Sequence, residues 1–97
     1  MNDKRILVVD DEEDLCEILK FNLEMEGYAV DTANSAEEAL AMNLGSYDLL
    51  LLDVMMGEIS GFRMANMLKK QPETATIPII FITARDTEND TVTGFNL

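Results

Sequence analysis

Histidine is absent from this sequence, cysteine occurs once, and cations are scarce: seven Lys and Arg stand against nineteen Asp and Glu, a formal charge of −12. The single Cys16 excludes an internal disulfide and fits a reducing compartment. The shortage of cations argues against nucleic acid or an anionic membrane as a direct partner of this segment, since both reward clustered positive charge. It favours metal ions or basic protein surfaces instead. Apolar runs never exceed four residues, far short of a membrane span, and the first residues lack the apolar core of a signal peptide. The expectation is a cytoplasmic domain. Hydrophobic residues at 47% and charged residues at 27% are ordinary globular usage, which excludes intrinsic disorder. Ninety-seven residues suit one small domain.

Short apolar runs alternate with longer stretches of helical period. Ile6 to Val9 is a buried-strand pattern that stops at Asp10-Asp11. Leu15, Ile18, Leu19 and Leu23 then share a helical face, acids crowd its first turn, and Gly27 stands where a C-terminal stop belongs. Tyr28 to Ala33 alternates as a half-exposed strand. Ser35-Ala36-Glu37-Glu38 is a capping-box pattern opening a second helix, whose stripe of Ala36, Ala39, Leu40 and Leu44 is closed by Gly45. Leu49 to Leu52 is a third strand ending at Asp53. Ser60 is placed to cap a helix carrying Gly61, Met64, Ala65 and Leu68, with Pro72 beyond it. Ile79 to Ile82 is a fourth strand, ending at Thr83, and residues 86–97 carry a weaker helical spacing.

Strands alternating with helices predict an α/β fold with parallel pairing, right-handed crossovers and helices on both faces. The continuous runs suit internal strands, and the alternating strand suits an edge. These features predict the flavodoxin-like order 2-1-3-4-5. The chain is expected to be one domain over residues 1–97 that stops within its fourth helix, before a fifth strand and helix. An unpaired fourth strand would then invite self-association or strand exchange.

In an open sheet of this kind ligands bind beyond the carboxyl ends of the strands, where strand order reverses. That rule gathers Asp10, Asp11, Asp53 and Thr83 into one crevice. Either Asp10 or Asp11, taken alone, also reads as a helix cap. Three clustered carboxylates need a raised pKa or a cation. An all-oxygen donor set suits Mg²⁺ or Mn²⁺ better than zinc. An Asp carboxylate can also act as a nucleophile toward a phosphoryl group.

Four pieces in order, Ile6 to Glu12, Tyr47 to Met56, Ser60-Gly61-Phe62 and Pro78 to Arg85, resemble the receiver domain of bacterial two-component response regulators over nearly the whole chain. The resemblance implies that Asp53 is the phospho-acceptor, supplied by a phosphohistidine on a sensor histidine kinase. It implies that Asp10, Asp11, Asp53 and the backbone carbonyl of Met55 hold Mg²⁺. Thr83 becomes the switch hydroxyl, and Ala84 a backbone contact to the phosphoryl group. Without histidine, the chain cannot itself be the donor. The family's proline four residues after the acceptor is Gly57 here, and its strand-5 lysine would lie beyond Leu97. The expected role is an acceptor and switch, not a turnover enzyme, acting on transcription through a DNA-binding output domain outside this segment. The alternatives are a non-phosphorylated interaction module and an aspartate-based phosphohydrolase. The latter places a second Asp where this chain has Met55, which transfers no proton.

Overall fold

The structure, a computed structural model, describes residues 3–82. Seven elements follow in order: β1 Arg5–Val9, α1 Glu13–Met25, β2 Ala29–Ala33, α2 Ala36–Leu40, β3 Leu49–Asp53, α3 Gly61–Lys69 and β4 Ile79–Ile82, with a 3₁₀ turn at Leu44–Ser46 before β3. The strands form one parallel sheet in the order β2-β1-β3-β4. This is the flavodoxin-like arrangement expected from the pattern. The expected fourth helix lies outside the described residues.

The period of two along each strand divides the apolar side chains between two cores. Leu7, Val9, Ala33, Leu50, Leu52 and Phe81 face α2 and α3, where they meet Ala36, Ala39, Met64 and Leu68. Ile6, Val8, Val30 and Leu51 face α1, where they meet Cys16, with Leu19 and Leu23 packed beside it. Both faces of β1 and β3 are therefore covered, which is why these strands read as unbroken apolar runs. No helix among the described residues is long and apolar enough to cross a membrane.

The helix ends follow the side chains at hand. Gly27 closes α1 at φ 101°, a conformation that costs a Cβ-bearing residue about 1–2 kcal/mol. Ser60 Oγ accepts from Arg63 N at 3.1 Å and caps α3 as expected. Ser35 Oγ likewise accepts from Glu38 N at 2.9 Å. The capping box is modified, however: Glu38 Oε1 accepts from Asn34 N at 2.8 Å, one residue earlier than the usual return bond.

Four details depart from the sequence pattern. Ile18, grouped by its period with Leu15, Leu19 and Leu23, is 56% exposed and lies outside the core that Leu19 and Leu23 join. The second helix ends at Leu40, because Ala41 and Met42 donate to carbonyls three residues back and the chain then tightens into the 3₁₀ turn. Ser46 Oγ closes on Asn43 O at 2.8 Å, a local bond that competes with continued helix. Leu44 is still buried, so the apolar stripe continued while the helix did not. Tyr28 lies before β2 and packs against the α1-side core. Within β2, Val30 and Ala33 lie on opposite faces and both are buried.

Candidate functional site

Parallel strands bring their carboxyl ends to one edge of the sheet. The chain leaves β1 toward β2 on one side and returns past it to β3 on the other, so strand order reverses between two hydrogen-bonded neighbours. Asp10 directly follows β1, and Asp53 is the last residue of β3. One carboxylate oxygen from each of Asp10, Asp11 and Asp53 lies within 4.8 Å of the others. The three acids come together from positions 43 apart in sequence.

Their environments differ. Asp10 is fully buried, Asp53 is 6% exposed, and Asp11 faces solvent. Asp10 N donates to Ala33 O at 3.0 Å, extending the β1–β2 ladder by one residue. Asp10 Oδ1 accepts from Glu12 N at 2.9 Å, so the side chain closes the turn into α1. Neither aspartate is the helix N-cap, a position held by Glu12 without a side-chain bond. Asp53 Oδ1 accepts from Met55 N at 3.3 Å, and Val54 N donates to Ile82 O at 3.0 Å.

Burial, opposed by the Glu12 N–H and reinforced by the charges of Asp11 and Glu12, raises the Asp10 carboxyl above its usual range. Burial first, and then the facing Asp10 charge, push Asp53 up to about 6; Asp11 adds to this, and the Met55 N–H works against it. Two buried acids this close are poorly compensated by the protein around them.

One oxygen sharpens the point. Asp10 Oδ2 is buried and has no hydrogen-bond partner among the described residues. An orphaned carboxylate oxygen beside two further carboxylates, with only oxygen donors in reach, fits a small hard cation of the Mg²⁺ or Mn²⁺ type. Met55 lies in the loop after Asp53 with its side chain 59% exposed. Thr83, Ala84 and Arg85 lie outside the described residues; Ile82, immediately before them, pairs with Asp53.

Two residues at the site drew no such notice from the sequence. Gly61 opens α3, and a Cβ there would stand 2.2 Å from the Asp53 carbonyl oxygen and 3.2 Å from Val54 Cα. The helix start can lie against the end of β3 only because that side chain is missing; Gly61 N also donates to Val54 O at 3.0 Å. Asn34 is the second: its Nδ2 donates to Asp10 O at 3.1 Å across 24 residues of sequence. A glycine just after a Ser cap is a usable signal for the first. A long-range amide contact leaves none. Cys16 is 2% exposed, and its thiol is pushed up to about 11, first by burial and then by the Asp10 charge.

The model of the response regulator receiver domain family matches residues 6–97. Over 91 residues the chain is 43% identical to the phosphate regulon transcriptional regulatory protein PhoB of Rhizobium meliloti, covering 93% of this chain and 40% of that protein. It is 37% identical over 92 residues to the response regulator SaeR of Staphylococcus aureus, covering 95% and 40%. The chain thus spans about 40% of the length of these curated relatives. Among solved structures it is similar to the response regulator TrrA of Thermotoga maritima in complex with Mg²⁺-BeF, at TM-score 0.77 and 47% identity over 84% of this chain and 70% of that one. It is also similar to the N-terminal domain of a response regulator receiver protein from Methanoculleus marisnigri, at TM-score 0.77 and 39% identity over 86% and 68%. A family match across nearly every residue, together with the sheet order and the relatives' identity, shows that this chain belongs to the receiver domains of two-component response regulators.

Proposed function

We propose that Asp53 accepts a phosphoryl group from a phosphohistidine of a sensor histidine kinase, and that this modification switches an output surface. The observation that carries the reading is a nearly buried carboxylate at the end of β3 facing two more acids, one with an orphaned oxygen. Such a mouth repels anions until a cation compensates it. Asp10, Asp11, Asp53 and the Met55 carbonyl would hold Mg²⁺ or Mn²⁺. When bound, the ion neutralises the acids and draws charge from phosphoryl oxygens.

In the transfer, an Asp53 carboxylate oxygen bonds to phosphorus as the phosphorus–nitrogen bond breaks, and the electron pair leaves with the imidazole. Burial serves this step by stripping water from the attacking carboxylate. Asp10 and Asp11 belong to the cation, and Asp53 alone carries the new bond. We assign Thr83 the switch hydroxyl and Ala84 a backbone N–H toward the phosphoryl oxygens, because both follow the strand whose end pairs with Asp53. The role is acceptor and switch: Met55, two residues after Asp53, has no proton to give a leaving group, as a turnover phosphohydrolase would need.

An apolar stripe faces outward on α1, with Ile18 56%, Phe21 64% and Met25 69% exposed. It lies opposite the face packed on the sheet, and we assign it to the kinase. Output is transcriptional, through DNA contacts made outside this acidic segment, as the transcriptional relative suggests. Its place is the cytoplasm, where Cys16 stays a thiol.

The test is mass spectrometry of the full chain after incubation with a small acyl phosphate and Mg²⁺. One phosphoryl group on Asp53, absent from Asp53→Asn, is the expected result. No incorporation from the acyl phosphate or from a partner kinase would overturn the reading.

A further inference from the structure

We infer that Asn34 is a positioning residue for the acidic mouth, its amide locking the peptide unit that joins Asp10 to Asp11. The inference rests on the proposed cation site and extends it to a residue that contacts none of the three carboxylates through any hydrogen bond described above.

The Asp10 carbonyl belongs to a rigid plane with the Asp11 N–H, and one aspartate side chain departs from each end of that plane. Turning the plane swings the two carboxylates relative to each other. Two donors hold its oxygen: Asn34 Nδ2 at 3.1 Å and Cys16 Sγ at 3.4 Å. A thiol is a weak donor, so the amide is the stronger restraint. The Asp10 N–H is tied to Ala33 O at 3.0 Å. Both backbone groups of Asp10 are therefore fastened to the dipeptide Ala33-Asn34.

That dipeptide is anchored in turn. Asn34 N donates to Glu38 Oε1 at 2.8 Å, and Glu38 N donates to Ser35 Oγ at 2.9 Å, which fixes Asn34 to the first turn of α2. The cap needs only the backbone of residue 34. Its amide is free of that duty and crosses to Asp10. Three carboxylates with oxygens within 4.8 Å repel one another, and besides turning the side chains, rotating the Asp10–Asp11 peptide is a way to relieve the repulsion. The amide blocks that escape and keeps the oxygens converged before an ion arrives. Preorganisation of this kind reduces what the ion must spend on ordering its ligands.

The experiment measures Mg²⁺ binding by calorimetry and Mn²⁺ binding by loss of the free-ion electron paramagnetic resonance signal. It compares the full wild-type chain, Asn34→Ala and Thr74→Ala, with urea unfolding in chelator run alongside. Asn34→Ala should bind both ions on the order of tenfold more weakly, the range for residues that orient metal ligands. Thr74→Ala loses the hydroxyl bond to Leu68 O at 2.7 Å, at the end of α3 away from the mouth, and should lose stability with unchanged affinity. If alanine at 34 does not fold, Asn34→Ser, polar but too short to reach the carbonyl, replaces it with the same expected split. Equal affinity of wild type and the Asn34 variant, or an equal drop in Thr74→Ala, overturns the inference alone. A wild-type chain that binds neither ion overturns it together with the cation reading.

Discussion

Replacing Asp53 by asparagine keeps the shape of the side chain, and an amide oxygen can still accept the Met55 N–H, but the charge is gone. The wild-type carboxyl is raised from 3.8 to about 6 by burial and by Asp10. A raised acid binds protons more tightly folded than unfolded. Its contribution to stability is therefore greatest below the unfolded value of 3.8, falls as pH rises through the folded value near 6, and is flat above that. At about 1.4 kcal/mol per pKa unit, the ionised side chain costs the fold about 3 kcal/mol at neutral pH. Asp53→Asn should recover about 1.5–3 kcal/mol there, allowing for relaxation around the wild-type charge. For a domain this small that corresponds to a rise in melting temperature of about 10 °C. Urea unfolding followed by circular dichroism, in chelator at low salt, checks it across pH 4 to 8. The gap between variant and wild type should be near zero at the acid end, open through the window between the two pKa values, and stay constant above. Millimolar Mg²⁺ should narrow the gap, because only the wild type gains a full set of ligands. A variant equally stable at all pH values, or less stable at neutral pH, would refute the electrostatic reasoning.

Gly61→Ala puts a Cβ 2.2 Å from the Asp53 carbonyl oxygen, so backbone must move. A loss of about 3 kcal/mol on urea unfolding is expected, the upper end for an overpacked position, with weakened Mg²⁺ binding as the end of β3 shifts. Gly57→Ala should do the reverse, because no atom lies within 4 Å of a Cβ there and the residue has no left-handed φ. A gain of about 0.4–1 kcal/mol in the same assay is expected from the stiffer unfolded chain. Phe21→Ser, on the exposed α1 stripe, should cut phosphoryl transfer from the kinase about tenfold while leaving labelling by an acyl phosphate unchanged. Equal loss with both donors would place the defect in the pocket.

The strands and their ends were legible because local chemistry decides them. Unbroken apolar runs at Ile6–Val9 and Leu49–Leu52 mean burial on both faces, and each run breaks at an acid. Ser35 and Ser60 announce helix starts through bonds to residues three positions on. Given a parallel sheet, the meeting of Asp10, Asp11 and Asp53 then follows from strand order. The end of α2 was not legible, since Leu44 keeps the apolar period and packing selects it whether the backbone is helical or not. The setting of the exposed acid in β2 was equally opaque. Asp31 accepts from the Tyr47 hydroxyl at 2.6 Å and pairs with Arg5 at 3.3 Å, while the Arg5 guanidinium lies 4.7 Å above the Tyr47 ring. Three chain segments make that one arrangement, and no spacing encodes it.

The residues that hold the site differ in kind from those that form it. The carboxylates are visible because a strand end is a place that sequence can mark. Gly61 and Asn34 act by what they permit and restrain at Asp53 and Asp10, residues 8 and 24 positions away. Removing a Cβ allows α3 to close against β3, and adding an amide pins the peptide between two acids. Both work on backbone, so both fix the carboxylates without touching their charge. A mouth built this way holds buried acids close together, and the cost, from burial first and neighbouring negative charge after it, appears as the raised Asp10 and Asp53 carboxyls. The sheet ladder, the α3 start and the α2 cap each supply one constraint on that arrangement.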